Sequence, residues 1–239
     1  MTYNIHQGRD AAGVLNLDAI AAVIRAQHAD LAALQEVGRH WSADSDFRDQ
    51  AAELGGLLGM EHAFGANLDR DPPKPGAPRR QYGTAILSAW PLLYSENILL
   101  PRASADNEQR GLLVLDVEVD GAPFRVHDVH LGLSAGDRRL QVEAILSETD
   151  RATVPYALLG DLNARPTAPE LAPLFERLRD VWSVAGEGDG FTFAASEPKA
   201  RIDYVLVSPQ LRVDAARVPA LPGSDHLPVV ADLALPGTS

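Results

Sequence analysis

The stretch from Tyr156 to Pro166 most constrains the fold, because a short apolar run turns polar there within two residues. A run of this kind indicates a buried β-strand. Gly160 lets the backbone pass close to a neighbour, and Pro166 prevents a helix from starting at once. If strand geometry continues, Asp161 and Asn163 point the same way out of the end of a sheet. This pair could hold a water molecule or stabilise developing charge, or it could simply form an Asx-type turn.

The same pattern of a short strand with a polar end occurs in the N-terminal part of the chain. Alternation over residues 1–5 predicts a strand that places Asn4 and His6 on one face. A strand this short would fit a native N-terminus that lies upstream of Met1. Asn16 can cap a helix over residues 17–28, after which the apolar run 31–37 predicts a second strand that carries Glu36 near its end.

From residue 81 onward β-strand patterns predominate, and the pair Asp120-Gly121 is a strong hairpin signal. Strands are predicted at 81–88, 98–100, 111–119, 124–131, 191–193, 201–207 and 227–233. Helices are predicted at 47–58 behind an Asp46 cap, at 136–147 and at 169–178. The segment 69–80, rich in proline and charge, is predicted to be a long exposed loop whose basic residues are either solvated or border a phosphate site.

Composition narrows the classes of function. The chain has 239 residues, no cysteine and a net charge of −12. Absence of cysteine excludes disulfides and thiolate metal sites. The negative charge argues against non-specific binding of long nucleic acids, although a nuclease that works locally through a metal ion remains compatible. With no signal peptide or membrane-spanning run in the sequence, we expect a cytoplasmic protein.

Polar residues with catalytic or metal-binding chemistry recur at the predicted strand edges, and the intervening helices and hairpins could bring them together. They are Asn4, Glu36, His130, Asp161, Asn163, Asp203, Asp225 and His226. Carboxylates and amides without cysteine suit a hard divalent ion, Mg²⁺ or Mn²⁺, rather than a structural zinc.

Six short motifs in this order resemble those of the endonuclease/exonuclease/phosphatase superfamily, which includes DNase I. They are Thr2-Tyr3-Asn4-Ile5, Leu34-Gln35-Glu36-Val37, Val129-His130-Leu131, Gly160-Asp161-Leu162-Asn163, Arg201-Ile202-Asp203-Tyr204 and Ser224-Asp225-His226-Leu227-Pro228. The resemblance implies a single domain over residues 1–239. It also implies an α/β fold, a four-layer α/β sandwich in which two mixed β-sheets pack face to face with helices on the outside.

The resemblance also implies roles for the residues near a bound Mg²⁺ or Mn²⁺. Glu36 would be the main metal ligand, with Asn4 and Asp225 nearby. Asp161 would orient or deprotonate the attacking water, and Asn163 would hold the scissile phosphate.

Two histidines complete the implied catalytic set. His226, paired with Asp203, would stabilise charge on the phosphate or act as a base. His130 would bind phosphate or assist the leaving group. DNase-like members place a carboxylate just before the strand that begins at Tyr82 to support the first histidine, whereas this chain has Arg80 and Gln81 there. That departure argues against a DNase-style acid role for His130.

Four further residues are candidates for binding the substrate. His6 is one because it shares a strand face with Asn4. The others, as candidate pocket-wall residues, are Arg110, Trp182 and Phe193.

Three functions compete on this sequence. The preferred one is a metal-dependent phosphoesterase acting on a phosphodiester or phosphomonoester, with a small molecule or lipid headgroup favoured over long duplex DNA. The second is a DNA or RNA nuclease. The third is a catalytically silent binding module, which the loss of a metal ligand or water-positioning residue would indicate, and none is lost. The sequence has no basic amphipathic helix that would dock it stably on a membrane.

Overall fold

The computed structural model describes residues 1–221 and 223–237. Its strands are β1 (Thr2–Asn4), β2 (Leu31–Arg39), β3 (Glu61–Arg70), β4 (Arg80–Ser88), β5 (Tyr94–Leu99), β6 (Gly111–Val119), β7 (Ala122–His130), β8 (Tyr156–Asp161), β9 (Arg179–Asp180), β10 (Asp203–Val207), β11 (Arg212–Arg217) and β12 (Val230–Ala234). Its α-helices are α1 (Leu17–Ala26), α2 (Gln50–Leu58), α3 (Ala135–Thr149), α4 (Ala172–Arg177) and α5 (Val181–Ala185).

The strands form two large mixed sheets. One has the order β1-β2-β4-β3, in which the β1–β2 pair is parallel and the others are antiparallel. The second has the order β5-β6-β7-β8-β10-β9, in which only the β7–β8 pair is parallel among the described residues. Strands β11 and β12 form a separate antiparallel pair.

Apolar packing defines four layers. Between the sheets, Ala33 and Ile86 of the first sheet share one buried cluster with Leu113 and Leu159 of the second. Helices α1 and α2 pack on the outer face of the first sheet, and α3 and α4 pack on the outer face of the second. This arrangement confirms the predicted four-layer α/β sandwich.

Two of the predicted helices differ in detail from those observed. Helix α2 begins at Gln50 behind an Asp49 cap, whereas residue 47 was the predicted start, because Asp46 and Phe47 both have a φ of 51° and cannot continue a helix. The helix predicted at 169–178 consists of a 3₁₀ turn at residues 169–171 followed by α4. The Asn16 cap of α1 is confirmed by its bond from the Ala19 amide.

Several observed β segments also differ from the predicted ones. Strand β3 was not predicted, and together with β4 it reduces the supposed loop at 69–80 to residues 71–79, where Arg79 pairs with Asp69 and Asp71. Residues 191–193 are not a strand, since Phe193 makes only isolated bridges to Ala200 and His226. The last strand begins at residue 230, because before it Val229 makes only an isolated bridge to Thr2 and the Leu227 N–H donates to the carbonyl of Thr192.

The register of the second sheet positions a row of polar residues. Asp161, the last residue of β8, lies directly opposite His130 of β7 and Asp203 of β10. Gly160 allows this close pairing, because it has a φ of 150° and a Cβ there would lie 1.9 Å from the carbonyl oxygen of Val129.

In the part of the chain that the structure describes, no helix has the length and apolarity needed to cross a membrane.

Candidate active site

Asp161 lies at the centre of the polar cluster. Its side chain is nearly inaccessible, at 1% relative exposure. Its Oδ2 lies 3.4 Å from Nε2 of His130 and 3.7 Å from Nε2 of His226. One carboxylate oxygen therefore faces both histidines.

Asn4 joins the two sheets at this point. Its Nδ2 donates to Oδ2 of Asp161 and to Oε1 of Glu36, at 3.1 Å in each case. Its Oδ1 accepts the backbone N–H of His6 at 3.1 Å. Because Asn4 comes from β1 and Asp161 from β8, the site lies where the edges of the two sheets meet.

A β-bulge directs Glu36 into this site. The register of β2 against β4 shifts between Gln35 and Val37, and Glu36 has a φ of 60°. Bulges commonly redirect a side chain next to an active site. The Tyr82 hydroxyl lies beside Glu36; burial and the charges of Glu36 and Glu108 raise its pKa well above the usual value.

Asn163 follows Asp161 in a tight turn. Its backbone N–H donates to Oδ1 of Asp161 at 2.8 Å, and its Nδ2 donates to the carbonyl of Leu131 at 2.9 Å. The Asx-type turn considered from sequence is therefore present, and it also fixes the orientation of the Asp161 carboxylate.

Asp203 and His226 form a buried pair. Nδ1 of His226 lies 2.9 Å from Oδ2 of Asp203, and the Thr192 hydroxyl donates to the same oxygen at 2.5 Å. The half-exposed ring of Phe193 lies over the imidazole, with 4.7 Å between ring centroids. Phe193 therefore contacts His226 in the candidate site, and its role as a pocket-wall residue stays a prediction.

The electrostatics of the cluster are uneven. Burial and the Asp203 charge raise the pKa of Asp161 to about 7, against the lowering effect of His226 and of bonds from Asn163 and Asn4. Burial lowers the pKa of His226, but the charge and hydrogen bond of Asp203, with Asp161 and Asp225, outweigh burial and raise it to about 10. Burial, together with the charges of Arg110 and His226, lowers the pKa of His130 well below its ordinary value.

The remaining candidates lie at different distances from the centre. His6 Nδ1 lies 3.7 Å from Oδ1 of Asp225. Both residues border the cluster, because the His6 backbone bonds to Asn4 and Asp225 directly follows Ser224, which also bonds to Asn4. Ser224 Oγ donates to the carbonyl of Asn4 at 2.8 Å. Trp182 instead packs on its own loop and donates Nε1–H to the carbonyl of Gly188 at 3.2 Å.

Sequence reasoning missed supporting residues of this site. Ser224 lies inside a quoted motif and Thr192 inside a segment predicted as a strand, but neither has a local pattern that identifies its contacts. Tyr82 and Glu108 were also missed as residues beside Glu36 and Arg110. Only the folded chain brings these residues to the cluster.

The donor set fits a divalent cation. Ligand atoms of Asp161, Asp203 and His226 all lie within 4.8 Å of one another. His226 is the weak member of this trio, because its Nδ1 bonds to Asp203 and a protonated imidazole cannot ligate a metal. The Glu36 carboxylate, which accepts a bond from the Asn4 nitrogen, is better suited to a hard cation.

The two-sheet sandwich with a carboxylate-rich site at the sheet edges defines the DNase I-like fold class. The model of the endonuclease/exonuclease/phosphatase family matches residues 1–226. The chain belongs to this family.

One solved structure agrees with this assignment, and others share the fold. A family member from Beutenbergia cavernae is 31% identical with a TM-score of 0.82, and the alignment covers 98% of this chain and 70% of that one. A mannosyl-6-phosphatase from Bacteroides thetaiotaomicron is 18% identical with a TM-score of 0.78, covering 98% of both chains. The human Nocturnin catalytic domain is 21% identical with a TM-score of 0.71, covering 97% and 91%. Curated proteins gave no match.

Proposed function

We propose that the chain is a phosphoester hydrolase that uses Mg²⁺ or Mn²⁺ and acts on a phosphodiester or phosphomonoester of a small molecule or lipid headgroup. One observation carries the proposal. The Asp161 carboxylate is within 3.7 Å of Asn4, His130 and His226, and Asn4 connects it to Glu36. Hydrolysis of an anionic ester needs such a combination of proton acceptor, anion-stabilising donors and cation ligands.

The cation would be held by Glu36 with Asn4 and Asp225. When bound, it supplies positive charge to the phosphate oxygens and acidifies water. Its presence fits the accumulation of carboxylates around the Asn4 amide.

The other residues act on the substrate and on water. Asp161 takes a proton from the attacking water, which its pKa of about 7 suits near neutral pH. Asn163 donates to the phosphate. The His226 imidazolium, oriented by Asp203, stabilises the negative charge of the phosphate.

The favoured substrate class follows from charge. A net charge of −12 weakens the attraction of a long polyanion. In the basic segment before β4, Arg79 already pairs with two aspartates. A solved structure with the same fold is named a mannosyl-6-phosphatase, which is compatible with a small phosphoester.

The test compares three substrates side by side: bis-p-nitrophenyl phosphate, p-nitrophenyl phosphate and plasmid DNA. Each is incubated with Mg²⁺, with Mn²⁺ and with EDTA. We expect metal-dependent turnover of a small ester with the plasmid left intact. Metal-dependent plasmid cleavage would transfer the assignment to a nuclease, and absence of all turnover would favour a silent binding module.

Replacing Glu36 with alanine should weaken Mg²⁺ binding by about 100-fold or more, since even indirect partners of metal ligands typically cost about 10- to 100-fold. Isothermal titration calorimetry of the metal-free protein measures this affinity without any substrate. Glu118→Ala is the matched control, because Glu118 is exposed near the hairpin end of β6. Equal affinities in the two variants would remove Glu36 from the metal site.

A further inference from the structure

Arg110 contacts a catalytic candidate and not open solvent. Its Nη1 lies 3.1 Å from Nδ1 of His130, and the two residues are 7% and 5% exposed. A guanidinium can only donate hydrogen bonds, so Nδ1 of His130 must be the acceptor. The ring proton of His130 then resides on Nε2, which faces Oδ2 of Asp161 at 3.4 Å.

In the other buried histidines, His127 and His226, Nδ1 donates a hydrogen bond and does not accept one. Nδ1 of His226 faces the Asp203 carboxylate at 2.9 Å, and Nδ1 of His127 faces the carbonyl of Ala157 at 3.4 Å. Both partners are acceptors, so these Nδ1 atoms must donate. His130 is therefore distinguished from His127 and His226 by the chemistry of its Nδ1 partner.

Arg110 is held firmly in this position. Its Nη1 also pairs with Oε1 of Glu108 at 2.8 Å. Its carbonyl accepts the backbone N–H of Leu100 at 2.9 Å, which ties the residue to the end of the β5–β6 pair. The planar guanidinium loses little further freedom in making the bond to His130.

We propose that Arg110 is a positioning residue that fixes His130 as a neutral imidazole with its proton on Nε2, so that His130 donates a hydrogen bond to a phosphoryl oxygen and does not protonate the leaving group. The second half of this proposal rests on the proposed function.

The hydrolytic step then balances without an acid from His130. The oxygen of water forms a bond to phosphorus, and its proton passes to Asp161. The bond from phosphorus to the leaving oxygen breaks with its electron pair on that oxygen, which takes a proton from solvent. Esters with more acidic leaving groups should consequently react faster.

The tautomer can be measured directly. In ¹⁵N-histidine-labelled protein, two-bond ¹H–¹⁵N correlation spectra distinguish a protonated, pyrrole-type nitrogen from an unprotonated, pyridine-type nitrogen. We expect a pyridine-type Nδ1 in His130 and a pyrrole-type Nδ1 in His127, with His130→Asn used for assignment. A pyrrole-type Nδ1 in His130 of the wild-type protein would overturn the proposal.

Two substitutions at Arg110 test whether this residue sets the tautomer of His130. Arg110→Met removes the donor but retains much of the side-chain volume, and it should release His130 to a mixture of tautomers. Arg110→Lys keeps a donor and should retain the wild-type pattern in part. An unchanged His130 spectrum in folded Arg110→Met would show that Arg110 does not set the tautomer.

Kinetics then test whether His130 donates to the phosphoryl oxygen without protonating the leaving group. Arg110→Met should lower kcat by about 10- to 100-fold with a smaller change in KM, as expected for loss of a residue that orients another. In the wild type, log kcat should fall with rising leaving-group pKa across a series of aryl phosphates. A flat dependence would indicate proton donation and contradict the inference. Because the spectra need no turnover, failure of the proposed function would be seen separately.

Discussion

Asp161→Asn should lower kcat by about 1,000-fold or more, within the range for loss of a general base, while the fold stays intact. Asparagine has nearly the same shape as aspartate. It can keep one of the two bonds that hold the carboxylate in place, from the Asn163 amide to Oδ1 or from Asn4 to Oδ2, because an asparagine side chain has a single acceptor oxygen. What it loses is the ability to take a proton from water. The pKa of Asp161, about 7, makes the carboxylate a competent acceptor near neutral pH.

Single-turnover rates, together with thermal unfolding monitored by circular dichroism, separate catalysis from stability in this variant. Asp150→Asn is the matched control, since Asp150 forms an exposed ion pair with Arg177 ahead of β8, at the opposite end of the strand from Asp161. The control should keep wild-type turnover. A rate for Asp161→Asn within tenfold of wild type would exclude Asp161 as the proton acceptor.

The centre of the site was predictable because it depends on strand ends. An apolar run followed by polar residues locates the end of β8 at Asp161 without any tertiary information. His130 and Asp203 end or begin strands of the same kind, and the observed register places them directly opposite Asp161. The order of the motifs then predicted the sandwich, which the structure confirms.

The features that were not predicted depend on long-range contacts. Strand β3 has a glycine, an asparagine and charged residues where a strand pattern normally has β-branched or aromatic ones, and its pairing with β4 overrides that composition. The bulge at Glu36 has no sequence signal, since glutamate seldom adopts a φ of 60°.

The orientation of Arg110 illustrates the same limit. At the entry of a strand an arginine is equally compatible with a surface charge or with an anion clamp. Only the close approach of β6 to β7 brings its guanidinium to His130, 20 positions along the chain. The sequence therefore names Arg110 as a candidate, while its chemical role depends on which neighbour the folded chain brings to it.

His226→Ala should reduce kcat by about 100- to 1,000-fold, the usual loss when one donor to a developing anion is removed. The imidazole is buried, bonded to Asp203 and faces Asp161, so no solvent cation replaces its charge. His62→Ala is the matched control, because His62 is exposed at the far end of β3. A small effect of His226→Ala, comparable with that of His62→Ala, would remove His226 from the site.

The Asp203 partner determines the pH range over which His226 can act. The pKa of His226, raised to about 10, keeps the imidazole charged at neutral pH. Activity that needs this charge declines only as pH rises through that value. Asp203→Asn removes the largest effects that raise the pKa and leaves burial, which lowers it. The alkaline decline of kcat should therefore move to lower pH in Asp203→Asn. If His226 instead acts as a neutral base, the same substitution would move the acid limb of the pH profile to lower pH, so the limb that moves distinguishes the two roles.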